Sequence, residues 1–125
     1  MPFVFNGGNK LNLYFTSGVI CWNTGDAANN PFKNNGTSVA VPALNTWHHY
    51  AVTGNGTEAK LYIDGEYAGT APTYRNPTAS TFYISGWGFS SNSTYAWLGK
   101  LSDVRIYATC LDADAIREIY TGGIS

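Results

Sequence analysis

Charge is what this sequence has least of. Of its 125 residues, Lys and Arg supply 7 and Asp and Glu 8, so charged side chains make up 12% of the chain, against about a quarter in an average soluble domain. The seven cations, Lys10, Lys33, Lys60, Arg75, Lys100, Arg105 and Arg117, are scattered, and the net charge is -1. No basic stripe is left to hold a phosphate backbone or an anionic lipid, so nucleic acid is not an expected partner. Long apolar runs are missing too. Nothing approaches the roughly 18 residues of a membrane span, and "MPFVFNGGNK" has neither the basic start nor the apolar core of a signal peptide, so no membrane insertion is expected. The sequence fits a mature piece or an excised domain equally well. Cysteine is scarce: Cys21 and Cys110 form no CxxC and no Cys/His metal spacing. They are either a disulfide closing a long loop or free thiols of the kind proteins commonly bury.

Gly, Asn, Thr, Tyr and Trp are plentiful instead, with 14 Gly, 9 Tyr and 4 Trp. This is the composition of a polar but uncharged β surface. A chain of this length is one domain, 1–125, and can bury roughly two thirds of its unfolded surface without help from a metal.

Short strands are expected at 3–5, 11–15 and 19–22, separated by "NGGNK" and "TSG". Residues 23–37, "NTGDAANNPFKNNGT", carry too much Gly, Asn, Asp and Pro for a strand or helix and read as a loop with a turn at 34–36. "SVAV" at 38–41 reads as a strand. In "TWHHYAVT", period-two alternation sets Trp47, His49, Ala51 and Thr53 opposite His48, Tyr50 and Val52, so the two histidines cannot share one metal. "KLYIDGEYAG" is the strongest local signal, because Asp64 and Gly65 suit the left-handed angles of a two-residue hairpin turn. A two-proline loop at 72–80, a strand at 81–85 and an aromatic loop follow. "KLSDVRIY" at 100–107 alternates as a strand. Only "LDADAIREIYTGG" changes period, with Ile116, Ile119 and Tyr120 on one side, Asp112 as N-cap and Gly122 as the stop. Many short strands about ten residues apart point to an antiparallel sandwich closed by one short helix. Sequons fall at Asn35, Asn55 and Asn92, each beside turn residues.

Trp47 and His49, the "AVT" of 51–53, the hairpin at 60–65, the strand 99–107 and the helix ending at Tyr120 together resemble a concanavalin A-like jelly roll of the laminin G type. The resemblance spans roughly residues 45 to 122. It implies an all-β antiparallel jelly-roll sandwich, with glycan binding, protein adhesion or a structural role in secreted multidomain enzymes, cell-surface proteins, or viral or phage fibres. Some members hold calcium at the rim. The tryptophan strand arrives by residue 47, earlier than in domains of this type, which predicts that one or more N-terminal strands are missing or compressed. A compact variant, a cut fragment, or completion by another chain would each account for that.

Against this frame the reactive chemistries fare poorly. Glycoside hydrolysis needs two carboxylates about 5 to 10 Å apart in a cleft, yet Asp64 serves a turn beside Glu66, and Glu58 and Asp103 are isolated. Histidine-assisted nucleophilic catalysis would need a hydroxyl or thiol beside His48 or His49 and an orienting acid; His49 reads more simply as an inward residue held by a backbone hydrogen bond, with Trp47 in the core. A calcium site would draw on Asp26 with Asn29 or Asn30 and carbonyls near Gly25, although a single carboxylate brings little charge. A sugar surface needs stacking rings and amide or hydroxyl groups. Trp22, Trp87, Phe89, Tyr95 and Trp97 lie in or beside polar loops, though at least half are expected to pack in the sheets. The candidate ligand residues are Trp87 and Tyr95 for stacking, Asn92, Asn30 and Asp26 for polar contacts, and Tyr74 and Arg75 beside them. The expected function is a non-catalytic carbohydrate-binding or adhesion module of an extracellular or virion-associated protein, without cofactor or with calcium. Its partner would be a glycan or surface protein, and it would act as a homo-oligomer or as part of a larger chain. The alternative is a structural or oligomerisation module whose rings bury against sister chains.

Overall fold

The computed structural model describes residues 3–6, 11–23, 30–72, 81–84, 97 and 99–122. Two antiparallel sheets carry the chain. The first contains β1 (Phe3–Asn6), β2 (Leu11–Thr16), β3 (Val19–Asn23), β4 (Asn30–Pro31) and β10 (Thr81–Ile84), in the order β10-β1-β2-β3-β4. The second contains β5 (Lys33–Asn34), β6 (Thr37–Ser38), β7 (Tyr50–Gly54), β8 (Glu58–Ile63) and β9 (Glu66–Pro72), in the order β6-β5-β9-β8-β7. The helix α1 (Ala113–Thr121) follows.

The expected N-terminal meander is present, turned between β2 and β3 by Ser17 and Gly18, both at positive φ. Its closure is non-local: β10 returns to pair with β1, Phe3 opposite Ile84. The Asp64–Gly65 hairpin joins β8 to β9 with φ of 52° and 79°, the double positive φ that a type I′ turn demands.

Between the sheets lies a core of Leu13, Ile20, Phe32, Ala59, Leu61 and Ala71, with Tyr50, Val52 and Ile63 packed against it. Period-two alternation puts Ala59, Leu61 and Ile63 on one face of β8, and their partners Gly54, Val52 and Tyr50 share that face from β7. Burial of each large aliphatic or aromatic side chain contributes about 1.5–3 kcal/mol.

Three expectations are corrected. The segment 23–37 is not loop throughout: β4, β5 and the start of β6 fall within it. Phe32, fully buried, carries the chain from one sheet to the other, its N–H donating to Ile20 O at 3.0 Å and its carbonyl accepting from Val39 N at 2.8 Å. Its flanking Asn and Pro residues mask that single core anchor. The strand expected at 38–41 shrinks to the end of β6 at Ser38 and one bridge, Val19 to Ala40.

Residues 100–107 are not a strand. Asp103 turns left-handed at φ 53°, and Arg105 grips its carboxylate with two hydrogen bonds, Nε to Oδ1 at 2.8 Å and Nη2 to Oδ2 at 2.9 Å. That local fork competes with a ladder, and Val104, Ile106 and Tyr107 stand exposed.

The helix is as expected. Asp112 caps it by accepting from Ala115 N at 2.8 Å, and Gly122 ends it at φ 84°. Ile116 is buried and Tyr120 lies against Gly65, where a Cβ would come within 2.9 Å of the tyrosine ring.

Candidate functional site

The β8–β9 hairpin turn, the run into β7 and α1 meet in one place, which holds Asp64, His48, His49 and Tyr120. Asp64, fixed by the turn, receives His48 Nδ1 on Oδ2 at 2.8 Å and the His49 backbone N–H on Oδ1 at 2.8 Å. Its own N–H donates back to His49 O at 2.9 Å. The turn aspartate therefore ties the start of β7 to the hairpin as well as shaping it.

His48 Nε2 lies 2.8 Å from Thr46 Oγ1, so a hydroxyl, an imidazole and a carboxylate stand in line. The polarity is wrong for an activated nucleophile. Thr46 donates its single proton to Ala43 O at 2.7 Å and presents a lone pair to His48. A nucleophile must instead donate to the imidazole. His48, with a partner at each ring nitrogen, ties the 43–46 turn to the hairpin.

Burial pushes the Asp64 carboxyl up, but the hydrogen bonds from His48 and His49 and the two histidine charges outweigh it, leaving the group below its ordinary value. For His49, burial dominates and lowers the ring's pKa, with Arg105 adding to it and Asp64 and Asp103 opposing. The His49 ring packs on Tyr120, centroids 5.8 Å apart. Its Nδ1 is buried with no hydrogen-bond partner among the described residues; the residue is held instead by its main chain, whose N–H donates to the Asp64 carboxylate and whose carbonyl accepts from Asp64 N.

Trp47 overturns the expectation that it fills the core: it is 66% exposed. It lies three residues before β7 begins, in a turn where Asn45 takes φ 62°, so the alternation counted from it does not apply there. Asn30 is half-buried in β4, opposite Trp22. Trp22 packs on the core, 6.3 Å from Phe32, and Trp97 meets Phe15 edge-on at 5.2 Å. Asp26, Asn29, Tyr74, Arg75, Trp87, Phe89, Asn92 and Tyr95 lie outside the described residues.

The possible acid pairs are each engaged locally: Asp64 with His48, Glu66 with Arg117 at 2.9 Å, and Asp103 with Arg105. Among the described residues no three His, Cys, Asp or Glu side chains are placed to hold a metal ion. Both cysteines are free, Cys21 buried and Cys110 exposed.

What the sequence did not signal is an apolar surface. Leu44 is 80% exposed and Ile106 62%, with Trp47, Val104 and Tyr107 also open to solvent. All five come from two segments, 42–49 and 101–107, and β7, which follows directly from the first, is an edge of its sheet among the described residues. The only available clue was that "DVRIY" needs a neighbouring strand.

The fold has counterparts among known proteins. The chain is similar to a solved S-layer domain-containing protein from Clostridium thermocellum ATCC 27405, at 24% identity and a TM-score of 0.54, over 90% of this chain and 63% of that one. That likeness is one of fold. No curated protein matches the chain. Residues 1–117 match the family model for laminin G-type domains described as the concanavalin A-like lectin/glucanases superfamily. The chain thus belongs to the concanavalin A-like lectin/glucanase superfamily as a laminin G-type domain.

Proposed function

We propose that this domain is a structural packing module of an extracellular surface protein, one that docks its apolar side against a neighbouring polypeptide. The observation that carries this reading is the set of exposed apolar side chains on 42–49 and 101–107. Isolated exposed hydrophobics are ordinary, but several concentrated on two segments, one of them leading into β7, an edge strand among the described residues, point to a contact surface. The likeness of fold to a stretch of an S-layer domain-containing protein supports a place at the cell surface.

The test is the mass of the chain in solution beside that of Trp47→Ser. Association that the substitution abolishes is expected. A chain that stays monomeric and binds a sugar with unchanged affinity after Trp47→Ser would overturn the packing reading. Membership of a superfamily that includes lectins favours a second reading. In it a glycan docks on segments 23–37, 72–78 and 86–96, with Trp87 and Tyr95 stacking and Asn92, Asn30 and Asp26 making polar contacts beside Tyr74 and Arg75. A calcium ion would sit at Asp26 and Asn29. A glycan array read with and without calcium separates the two.

A further inference from the structure

Separately from docking, we infer that Asn35 is a self-modifying site, where the side-chain amide is lost to water through a cyclic imide, while the fold protects its twin at Asn55. The chain carries Asn-Gly-Thr twice, at 35–37 and 55–57. The chemistry is local: the main-chain nitrogen of the glycine attacks the asparagine Cγ, and a glycine, having no Cβ, leaves that nitrogen open and its backbone free to turn. Two identical triplets therefore react alike in an unfolded chain, and what separates them is supplied by the structure. A third Asn-Gly, at 6–7, ends β1, and its glycine lies outside the described residues.

At 55–57 the reacting carboxamide is tied down. Asn55 Oδ1 accepts from Thr57 N at 3.0 Å, Thr57 Oγ1 at 2.9 Å and Glu58 N at 3.1 Å, and Asn55 N donates to Glu58 O at 3.3 Å. Swinging Cγ onto Gly56 N breaks the three side-chain bonds together. Asn35 has no such restraint. It sits at the tip between β5 and β6, with Asn34 paired to Thr37 and φ of 50° at Asn35 and 79° at Gly36, the double positive φ of a two-residue turn. Both residues are exposed, and among the described residues the Asn35 side chain makes no hydrogen bond. The bond closing such a turn joins the residues on either side of the tip, which leaves the Gly36 N–H to solvent. Each strand of the hairpin is two residues long, so the tip opens at little cost.

The steps balance with water alone. Base takes the Gly36 amide proton, the nitrogen bonds to Asn35 Cγ, and the Cγ–Nδ2 bond breaks as the base returns its proton to the departing ammonia. Water then opens the five-membered imide at one of its two carbonyls. Cleavage at Cγ leaves aspartate. Cleavage at the Asn35 main-chain carbonyl leaves an isoaspartyl link, in which the chain runs through Cβ and Cγ and gains an atom in a turn built for two residues. Just inside that turn Val39 N donates to the carbonyl of the fully buried Phe32 at 2.8 Å, so the isoaspartyl product loosens the chain where it enters the second sheet.

The test holds the unsubstituted chain in mildly alkaline buffer and follows the amide-to-acid mass change at both triplets by peptide mass spectrometry, with fragmentation to separate them. In the native chain the acid should form at Asn35 at least tenfold faster than at Asn55. In denaturing urea the two rates should converge, chiefly by a gain at Asn55. Asn35→Gly, which keeps a Gly-Gly turn, should remove the fast modification. Its thermal unfolding should stay constant on ageing, while the unsubstituted chain loses stability in step with its isoaspartyl content. Equal native rates would overturn the inference. A faster Asn55 would overturn it too, because the three donors on Oδ1 would then be activating the carbonyl. So would a native Asn35 that keeps its amide while the urea-unfolded chain loses it, since the turn would then be protective in itself.

Discussion

His49 and Asp64 make the acid sensitivity of this domain a matter of single residues. His49 is harder to protonate folded than unfolded, chiefly through burial. As pH falls below about 6.5 the unfolded chain takes up that proton first, so stability declines until the folded ring also titrates. Asp64 acts lower. Its folded pKa is depressed, so its contribution is complete above about pH 4 and is lost as pH falls through the folded value. Denaturant unfolding between pH 7 and 3 should therefore show two declines, and His49→Phe, which keeps a ring against Tyr120, should flatten the upper one and, by removing one of the charges that lower Asp64, lessen the lower. Thiol labelling offers an independent check: Cys110 is exposed, whereas Cys21 is buried and its thiol pKa is raised by that burial. In the native state Cys110 should react at least tenfold faster, and equal rates would contradict the placement of β3. Asp64 was legible in the sequence as a turn residue, because Asp-Gly dictates backbone angles locally. Its second role, accepting from His48 and the His49 main chain, was not, since no local rule reports which segment lies across the sheet.

Elements were legible where their signals are local. The hairpin and α1 follow from Asp-Gly and from Asp112 and Gly122, and Asp112→Ala should cost about 1 kcal/mol of stability in chemical denaturation. Elements failed where tertiary contacts decide. The pairing of β8 with β9 slips between Leu61 and Tyr62, setting Leu61 opposite Gly69 and Tyr62 opposite Tyr67 and leaving Ala68 as the extra residue. There a Cβ on Gly69 would lie 2.7 Å from Val39 Cγ2 and 3.1 Å from the Lys33 carbonyl. Gly69→Ala is expected to destabilise by about 1–3 kcal/mol through overpacking against β5, although "EYAGTA" gives no hint that this glycine differs from any other. Trp47 and residues 100–107 failed for a related reason: alternation shows that a segment suits a strand, but a strand also needs a neighbour.

At the scale of the molecule, family membership was readable because it rests on spaced local motifs, while the positions that matter for docking became visible only once the sheet order was known. Most candidate ligand residues came from segments outside the described residues, where aromatic and amide side chains are read from composition rather than from placement. Lys substitutions at Val104 and Ile106, both exposed, should leave thermal stability of the isolated fold within about 0.5 kcal/mol, as surface changes usually do, while abolishing association in analytical ultracentrifugation. Loss of stability equal to that of a core substitution would mean that these side chains are already buried within one copy.

The pairing of β1 with β10 also sets a schedule for synthesis. β1 ends at Asn6 and its outer neighbour reaches as far as Ile84, so roughly 80 residues must be added before that side of β1 can be covered. At about 5–20 residues per second, this takes about 4–16 s, long compared with the microseconds in which a hairpin forms. The β7–β8–β9 hairpins can be complete while the first sheet still waits for its last strand. A nascent chain stalled shortly before residue 81 should therefore present the flank of β1 to chaperones, and release of that hold should coincide with the emergence of β10 from the ribosome.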